Sequence, residues 1–265
     1  MSTAAAERAF RREYGAHRAE EGRRMPLSSL LELPYVRNGP HERQWRVRAR
    51  SYDTFVARVL SPAARHAGRA LRVLDLGAGN GWLSWRLARA GHDALALDVR
   101  EDDVDGLGAA SGFLATPGGK FARVAASFDA LPVCAGRFDL VVFNASLHYA
   151  LDLRRSLDEA VRATTAGGRV VVIDSPFYAR DEDGDAMVAE KRRNAAASFG
   201  ERAEALMALP FVEYLTAERL RAALPLRWIR HRVRYPLWYE LRPLTARLRG
   251  ARVPSRFDVW EASVA

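Results

Sequence analysis

The sequence is short of cysteine and of lysine: in 265 residues it has Cys134 alone, and Lys120 and Lys191 as its two lysines. A single thiol excludes an internal disulfide framework and a cysteine-based zinc cluster. No apolar run approaches the roughly 18 residues that a membrane span needs, because Arg or Asp interrupts the longer ones. The opening MSTAAAERAFRREYG holds no apolar segment of the kind a secretory signal carries. These absences lead to the expectation of a cytoplasmic protein with no transmembrane segment and no metal centre.

Arginine supplies almost all of the positive charge, and the formal net charge is +9. That charge is uneven. Residues 1–70 carry 14 basic and 7 acidic side chains, residues 71–180 carry 12 and 13, and the stretch 226–256 is again strongly basic. A neutral centre between basic flanks admits an anionic partner at those flanks. With 49% hydrophobic residues the chain has the material for one α/β domain with additions.

Helical patterning covers 4–21 and 42–60, with a Pro- and Gly-punctuated connection at 25–41. Strands and helices then alternate: LRVLDLG, GWLSWRLARAG, DALALDV, KFARVAAS, RFDLVVFNA, DLRRSLDEAVRATT and RVVVIDS. Helical segments follow at 184–197 and 216–223, then a strand near 226–234, a short helix near 237–249 and a last strand near 256–263. Such alternation predicts a parallel sheet covered on both faces, whose ligand sits at the carboxyl ends of the strands.

The stretch VLDLGAGNG, residues 73–81, decides what kind of ligand. Gly77, Gly79 and Gly81 let the backbone approach a ligand with no Cβ in the way. The spacing G-x-G-x-G is one residue tighter than the dinucleotide fingerprint, which counts against a nicotinamide enzyme. Asp75 would repel a pyrophosphate and suit a cationic ligand end. Asp98 ends the second strand, 19 residues after Gly79, where a carboxylate accepts from ribose hydroxyls. A positively charged nucleoside without phosphates satisfies both carboxylates.

At these residues the sequence resembles the seven-stranded, Rossmann-like S-adenosylmethionine-dependent methyltransferases. VLDLGAGNG is similar to the family's first motif and ALALDV to its second. ASFDALPVCAGRFDLVVFNASLHY is similar to its third loop and fourth strand, and EAVRATTAGGRVVVIDSP to the helix, glycine turn and fifth strand that follow. The resemblance implies a doubly wound, mostly parallel seven-stranded sheet with an N-terminal helical lid over residues 1–68 and a core over 69–265. It implies S-adenosylmethionine as cofactor, held by Asp75, Gly77, Ala78, Gly79, Asn80, Gly81, Asp98, Val99, Asn144, Ala145 and Ser146. It places Ser127 beside the adenine where relatives commonly have Asp, with Asp129 or the Phe128 packing surface as substitutes. Tyr52 matches a position where an aromatic approaches the cofactor, and Trp45 and Arg48 lie a turn or two before it.

A sulfonium methyl is already electrophilic, so alignment is the main demand on the protein, and a base is needed only for a protonated nucleophile. His148, after the fourth strand, and Asp174 and Tyr178, after the fifth, are the catalytic candidates. Residues 1–60 and 175–200 are expected to enclose a small-molecule acceptor, with the acidic stretch 179–187 as an exposed rim. The basic segment 226–256 leaves three readings: an RNA surface, an amphipathic contact with anionic lipid, or a sheet edge whose Trp238, Leu241, Leu244 and Leu248 pack on the core. The expected function is methyl transfer to an O or N atom of a small molecule. RNA or protein methylation and a non-catalytic cofactor-binding subunit are the alternatives.

Overall fold

The computed structural model describes residues 3–265, so Met1 and Ser2 of the expected lid lie outside the described residues. Three helices precede the sheet: α1 (Thr3–Glu20), α2 (Leu27–Glu32) and α3 (Glu42–Phe55). α3 continues through a π-helical turn at Val56–Leu60 into α4 (Ser61–Ala67), and Gly68 ends it in the left-handed conformation. The helix expected over 42–60 therefore runs one element further, to the first glycine that can reverse the chain.

The sheet is built from β1 (Arg72–Leu76), β2 (Asp93–Asp98), β3 (Ala122–Ala125), β4 (Phe138–Asn144), β5 (Thr164–Ile173), β6 (Trp228–His231) and β7 (Val259–Ser263). Their order is β3-β2-β1-β4-β5-β7-β6, and β7 alone runs against the rest. Strand order reverses between β1 and β4, the point where the crevice of such sheets opens. The side chains alternate as a two-residue period requires. Val73, Ala96, Leu140, Val142 and Val171 pack with α3 and with α5 (Trp82–Arg89); Leu74, Leu97, Val141, Phe143 and Val172 pack on the opposite face. Both faces are covered, which is why these strands read as continuous apolar runs.

The remaining helices are α6 (Ser111–Leu114), α7 (Leu153–Ala163), α8 (Asp181–Arg193), α9 (Ala195–Phe199), α10 (Ala203–Met207), α11 (Ala217–Ala223), α12 (Leu237–Glu240) and α13 (Arg242–Leu248). Three sequence expectations change here. Gly167-Gly168 is no stop between α7 and a strand: α7 ends at Ala163, and the glycines lie inside β5, whose register against β4 shifts between Phe138 and Leu140. The acidic stretch at 179–187 is helical from Asp181 onward, with Glu182 and Asp185 exposed as expected but Asp183 buried. Asp181, Glu182 and Asp183 form the first turn of α8, where carboxylates complement the helix dipole. Finally, the Trp238, Leu241, Leu244 and Leu248 face does not pack on the core but is exposed.

Candidate active site

The glycine turn between β1 and α5 forms the floor of a cavity of about 600 Å³. Gly77 (φ +69°), Gly79 (φ +55°) and Gly81 (φ +78°) all occupy the left-handed region. A Cβ on Gly77 would lie 2.3 Å from Ser146 Cβ, and one on Gly79 would lie 3.1 Å from the Asp105 carbonyl. The Gly77 and Ala78 N–H groups donate to Leu97 O at 2.8 and 3.0 Å, which ties the turn to β2. Asn80 Oδ1 accepts from the Trp82 N–H at 3.2 Å and starts α5. Ala78 and Gly81 stand behind the wall, with Gly81 close against Phe121.

Asp98 is the hinge of this floor. Its Oδ2 accepts from the Gly79 N–H and its Oδ1 from the Arg100 N–H, both at 2.8 Å. Burial raises its pKa while those two donors oppose the shift. Each oxygen keeps a further lone pair for a ligand hydroxyl. Asp75 behaves differently from its sequence expectation. It lies beneath the turn, wholly buried, with Oδ2 accepting from Ser84 Oγ at 2.9 Å and Oδ1 without a partner in the chain. Burial pushes it up to about 7, and the Asp98 charge adds to the rise.

Val99, Ser127, Phe128 and Asp129 line one wall. Phe128 stands edge-on to Phe143 with ring centres 5.7 Å apart and reaches over Gly77. Asp129 accepts from the Ser156 hydroxyl through Oδ1, and burial raises its pKa. Opposite, β4 ends in Asn144, then Ala145 at φ +57°, then Ser146, whose hydroxyl donates to Leu76 O at 2.5 Å. An alanine and an aspartate, Ala145 and Asp174, sit in the left-handed region at the ends of neighbouring strands, the kind of strain that concentrates at functional sites.

Arg48 brings the two strand ends together. Its Nε donates to Asp174 Oδ2 at 3.1 Å and its Nη2 to Asn144 Oδ1 at 3.3 Å. The guanidinium also stacks near Trp45 (4.7 Å) and Trp82 (5.5 Å). Asp174 thus stands behind Arg48, not in the cavity wall, and burial raises its pKa. Tyr52 packs between Tyr35 and Trp82, behind the wall. His148 is crowded against Tyr149, its Nδ1 has no partner in the chain, and burial together with Lys191 and Arg48 pushes it down to about 3. Tyr178 lies elsewhere, with its ring against Tyr214 and its hydroxyl accepting from Arg252 at 3.1 Å. None of the three catalytic candidates lines the cavity.

The roof is α1. Arg18 donates to Asp105 Oδ2 at 2.8 and 2.5 Å, the Tyr14 and Tyr149 hydroxyls are 3.0 Å apart, and Phe10 packs edge-on to Phe211. Arg202 clamps Glu20 from α10's side at 2.5 and 2.6 Å. Phe211 and Leu209, rather than residues 175–200, complete the enclosure. Tyr14, Arg18, Arg100, Asp105, Leu209 and Phe211 escaped the sequence reading. Their pairings join distant parts of the chain, Tyr14 with Tyr149 and Phe10 with Phe211, and no local spacing marks them.

Residues 74–172 match the family model described as a methyltransferase domain, and that span holds the turn, Asp98, the 127–129 wall and the end of β4. That span has the sequence pattern of a methyltransferase domain. Over 107 residues the chain is 36% identical to the malonyl-[acyl-carrier protein] O-methyltransferase of Erwinia pyrifoliae, covering 39% of this chain and 37% of the relative. The enzyme of the same description from Erwinia billingiae is 32% identical over 114 residues, 42% of this chain and 41% of that one. The chain thus matches about two fifths of the length of these relatives. Among solved structures, magnesium protoporphyrin IX methyltransferase of Synechocystis PCC 6803 with bound S-adenosylhomocysteine aligns at TM-score 0.54 and 16% identity, over 89% of this chain and 93% of that one. The YcgJ protein of Bacillus subtilis aligns at TM-score 0.53 and 16% identity, over 74% and 93%. The likeness at this identity is one of fold. Among the described residues no helix is long and apolar enough to cross a membrane, and no cluster of His, Cys, Asp and Glu is fit to hold a metal.

Proposed function

We propose that the chain transfers the methyl group of S-adenosylmethionine to an O or N atom of a small molecule held beneath α1. The observation that carries this reading is one cavity walled by the glycine turn, by Asp98 and by the roof helix. The residues present fit the cofactor: Gly77 and Gly79 face the cavity with bare backbone, since Ser146 and the Asp105 carbonyl leave no room for a Cβ on either, and Asp98 keeps acceptor capacity for two ribose hydroxyls. Val99, Phe128 and the Ser127–Asp129 wall would hold the adenine. Arg48, steadied by Asp174 and Asn144, presents its remaining N–H donors to a carboxylate. When bound, the cofactor supplies an activated methyl. The protein's part is to align the acceptor, and α1 with Phe211 excludes water and narrows the cavity to a small acceptor. The malonyl-[acyl-carrier protein] relatives favour an oxygen nucleophile, which needs no base if it is a carboxylate.

Calorimetric titration with S-adenosylhomocysteine is expected to give micromolar binding, and NAD none. Binding of NAD alone would overturn the reading of the turn. His148 is expected to stay neutral well below its ordinary range, because its pKa is held near 3. A ring-nitrogen NMR titration checks this: no midpoint should appear between about pH 5 and 8. A midpoint near the ordinary histidine value would return His148 to the role of a general base.

A further inference from the structure

The exposed apolar side chains of this protein are concentrated in one place. Of the ten large apolar residues exposed among the described residues, six lie between 237 and 253. Leu237 is 73% exposed, Leu244 55% and Leu248 79%, with Leu241 and Trp238 also open to solvent. The spacing 237, 241, 244 and 248 puts the four leucines on one side of a helical segment. α12 and α13 are nearly continuous, since the Leu241 N–H donates to Leu237 O and the Thr245 N–H to Leu241 O, both at 3.0 Å. Tyr235 and Tyr239 anchor the segment inward: both are buried, and their hydroxyls donate to Phe257 O and Ser255 O. The leucines are left outside by a rigidly docked element.

The surround of this stripe is cationic. Residues 226–256 hold nine arginines and one carboxylate, Glu240, which is already paired with Arg256. Among the described residues Arg234, Arg247 and Arg249 form no ion pair, and all three are exposed. Arg43, from the start of α3, stacks over Trp238 and extends the cationic rim.

We propose that the α12–α13 face docks the protein on an anionic lipid surface, with the leucines and Trp238 entering the acyl boundary and the free arginines meeting the headgroups. The chemistry of the face selects this occupant. Aliphatic side chains at helical spacing beneath a cationic rim are what an interfacial helix presents. A nucleic acid would gain from stacked aromatics, but Tyr235 and Tyr239 are turned inward and Trp238 alone is open. A second copy would set one arginine rim against another, a like-charge contact that opposes pairing.

The test uses the full chain and sedimentation with vesicles. Vesicles of phosphatidylcholine with about 30% phosphatidylglycerol should bind at least tenfold more tightly than pure phosphatidylcholine, and the gain should collapse when salt rises from about 0.1 to 0.5 M. The double change Leu244→Asp with Leu248→Asp should cost at least about tenfold on the anionic vesicles. Arg247→Gln with Arg249→Gln should weaken anionic binding and leave the neutral vesicles unaffected. Both pairs lie outside the cavity wall, so unchanged S-adenosylhomocysteine affinity verifies the fold independently. Equal weak binding to both vesicles would overturn the proposal. So would a dimer that Leu248→Asp dissolves, or binding to RNA or an acidic peptide, if either occurs without vesicle binding.

Discussion

Valine at position 79 is expected to lower the affinity for S-adenosylhomocysteine at least a hundredfold, about 2.7 kcal/mol of binding. Two effects act together there. The residue sits at φ +55°, where a β-branched side chain is strained, and its Cβ would lie 3.1 Å from the backbone carbonyl of Asp105. The carbonyl cannot rotate away as a side chain would, so the turn must shift. Any shift moves the Gly79 N–H that Asp98 holds at 2.8 Å, and so displaces the carboxylate that we propose meets the ribose. Gly91→Val separates strain from site. Gly91 has φ +86° just after α5, nothing lies within 4 Å of its Cβ position, and it is outside the cavity wall. Its variant should lose stability like Gly79→Val, on the order of 1–3 kcal/mol, yet keep its affinity. Wild-type affinity in Gly79→Val would remove the turn from the binding site.

The parts that could be read from residues alone were those fixed by local pattern. All seven strands appear where the sequence predicts them, and the central β1, β2 and β4 are the plainest, because covering both faces of the sheet there selects apolar residues at nearly every position, whereas the edge strands β3 and β6 are largely exposed. The glycine turn is equally legible, since three left-handed positions in five residues leave no other side chain suitable. Side-chain direction was not. Asp75 and Asp98 both end apolar strands, yet the first points under the turn to Ser84 and the second to the cavity edge. Tyr178 follows β5 as expected but its ring turns to Tyr214, and Asp174 reaches the cavity only through Arg48. The roof contacts of α1 depend on which surface a charged helix finds, and a weak apolar face does not specify that. The C-terminal leucine stripe shows the same gap from the other side. Its period was plain, but period alone does not say which face of a helix meets the core.

Asparagine at position 75 is expected to stabilise the protein at pH 8 and to lose that advantage as pH falls towards 4. The carboxyl of Asp75 ordinarily titrates near 3.8 and is raised to about 7 in the fold, so the folded state binds a proton more readily than the unfolded one. Stability therefore declines as pH rises from about 4 to 7, and above 7 the full cost of a buried charge is present. At 1.36 kcal/mol per unit the shift corresponds to about 4 kcal/mol. The asparagine side chain would keep an oxygen for the Ser84 hydroxyl and carry no charge. Its amide nitrogen, however, would replace the Oδ1 that has no partner in the chain, an unmet donor costing about 1–3 kcal/mol. The net gain at pH 8 is then on the order of 1–3 kcal/mol, and near pH 4, where wild-type Asp75 is protonated in the fold, the variant should be the less stable of the two. Chemical denaturation of both proteins at several pH values reads this directly: the difference in unfolding free energy must grow with pH. A difference independent of pH would mean that Asp75 is charged in the fold and compensated. If Asp75→Asn leaves stability unaltered at every pH but abolishes S-adenosylhomocysteine binding, the carboxylate reaches the ligand itself, and the buried position beneath the turn would not be its place in the bound protein.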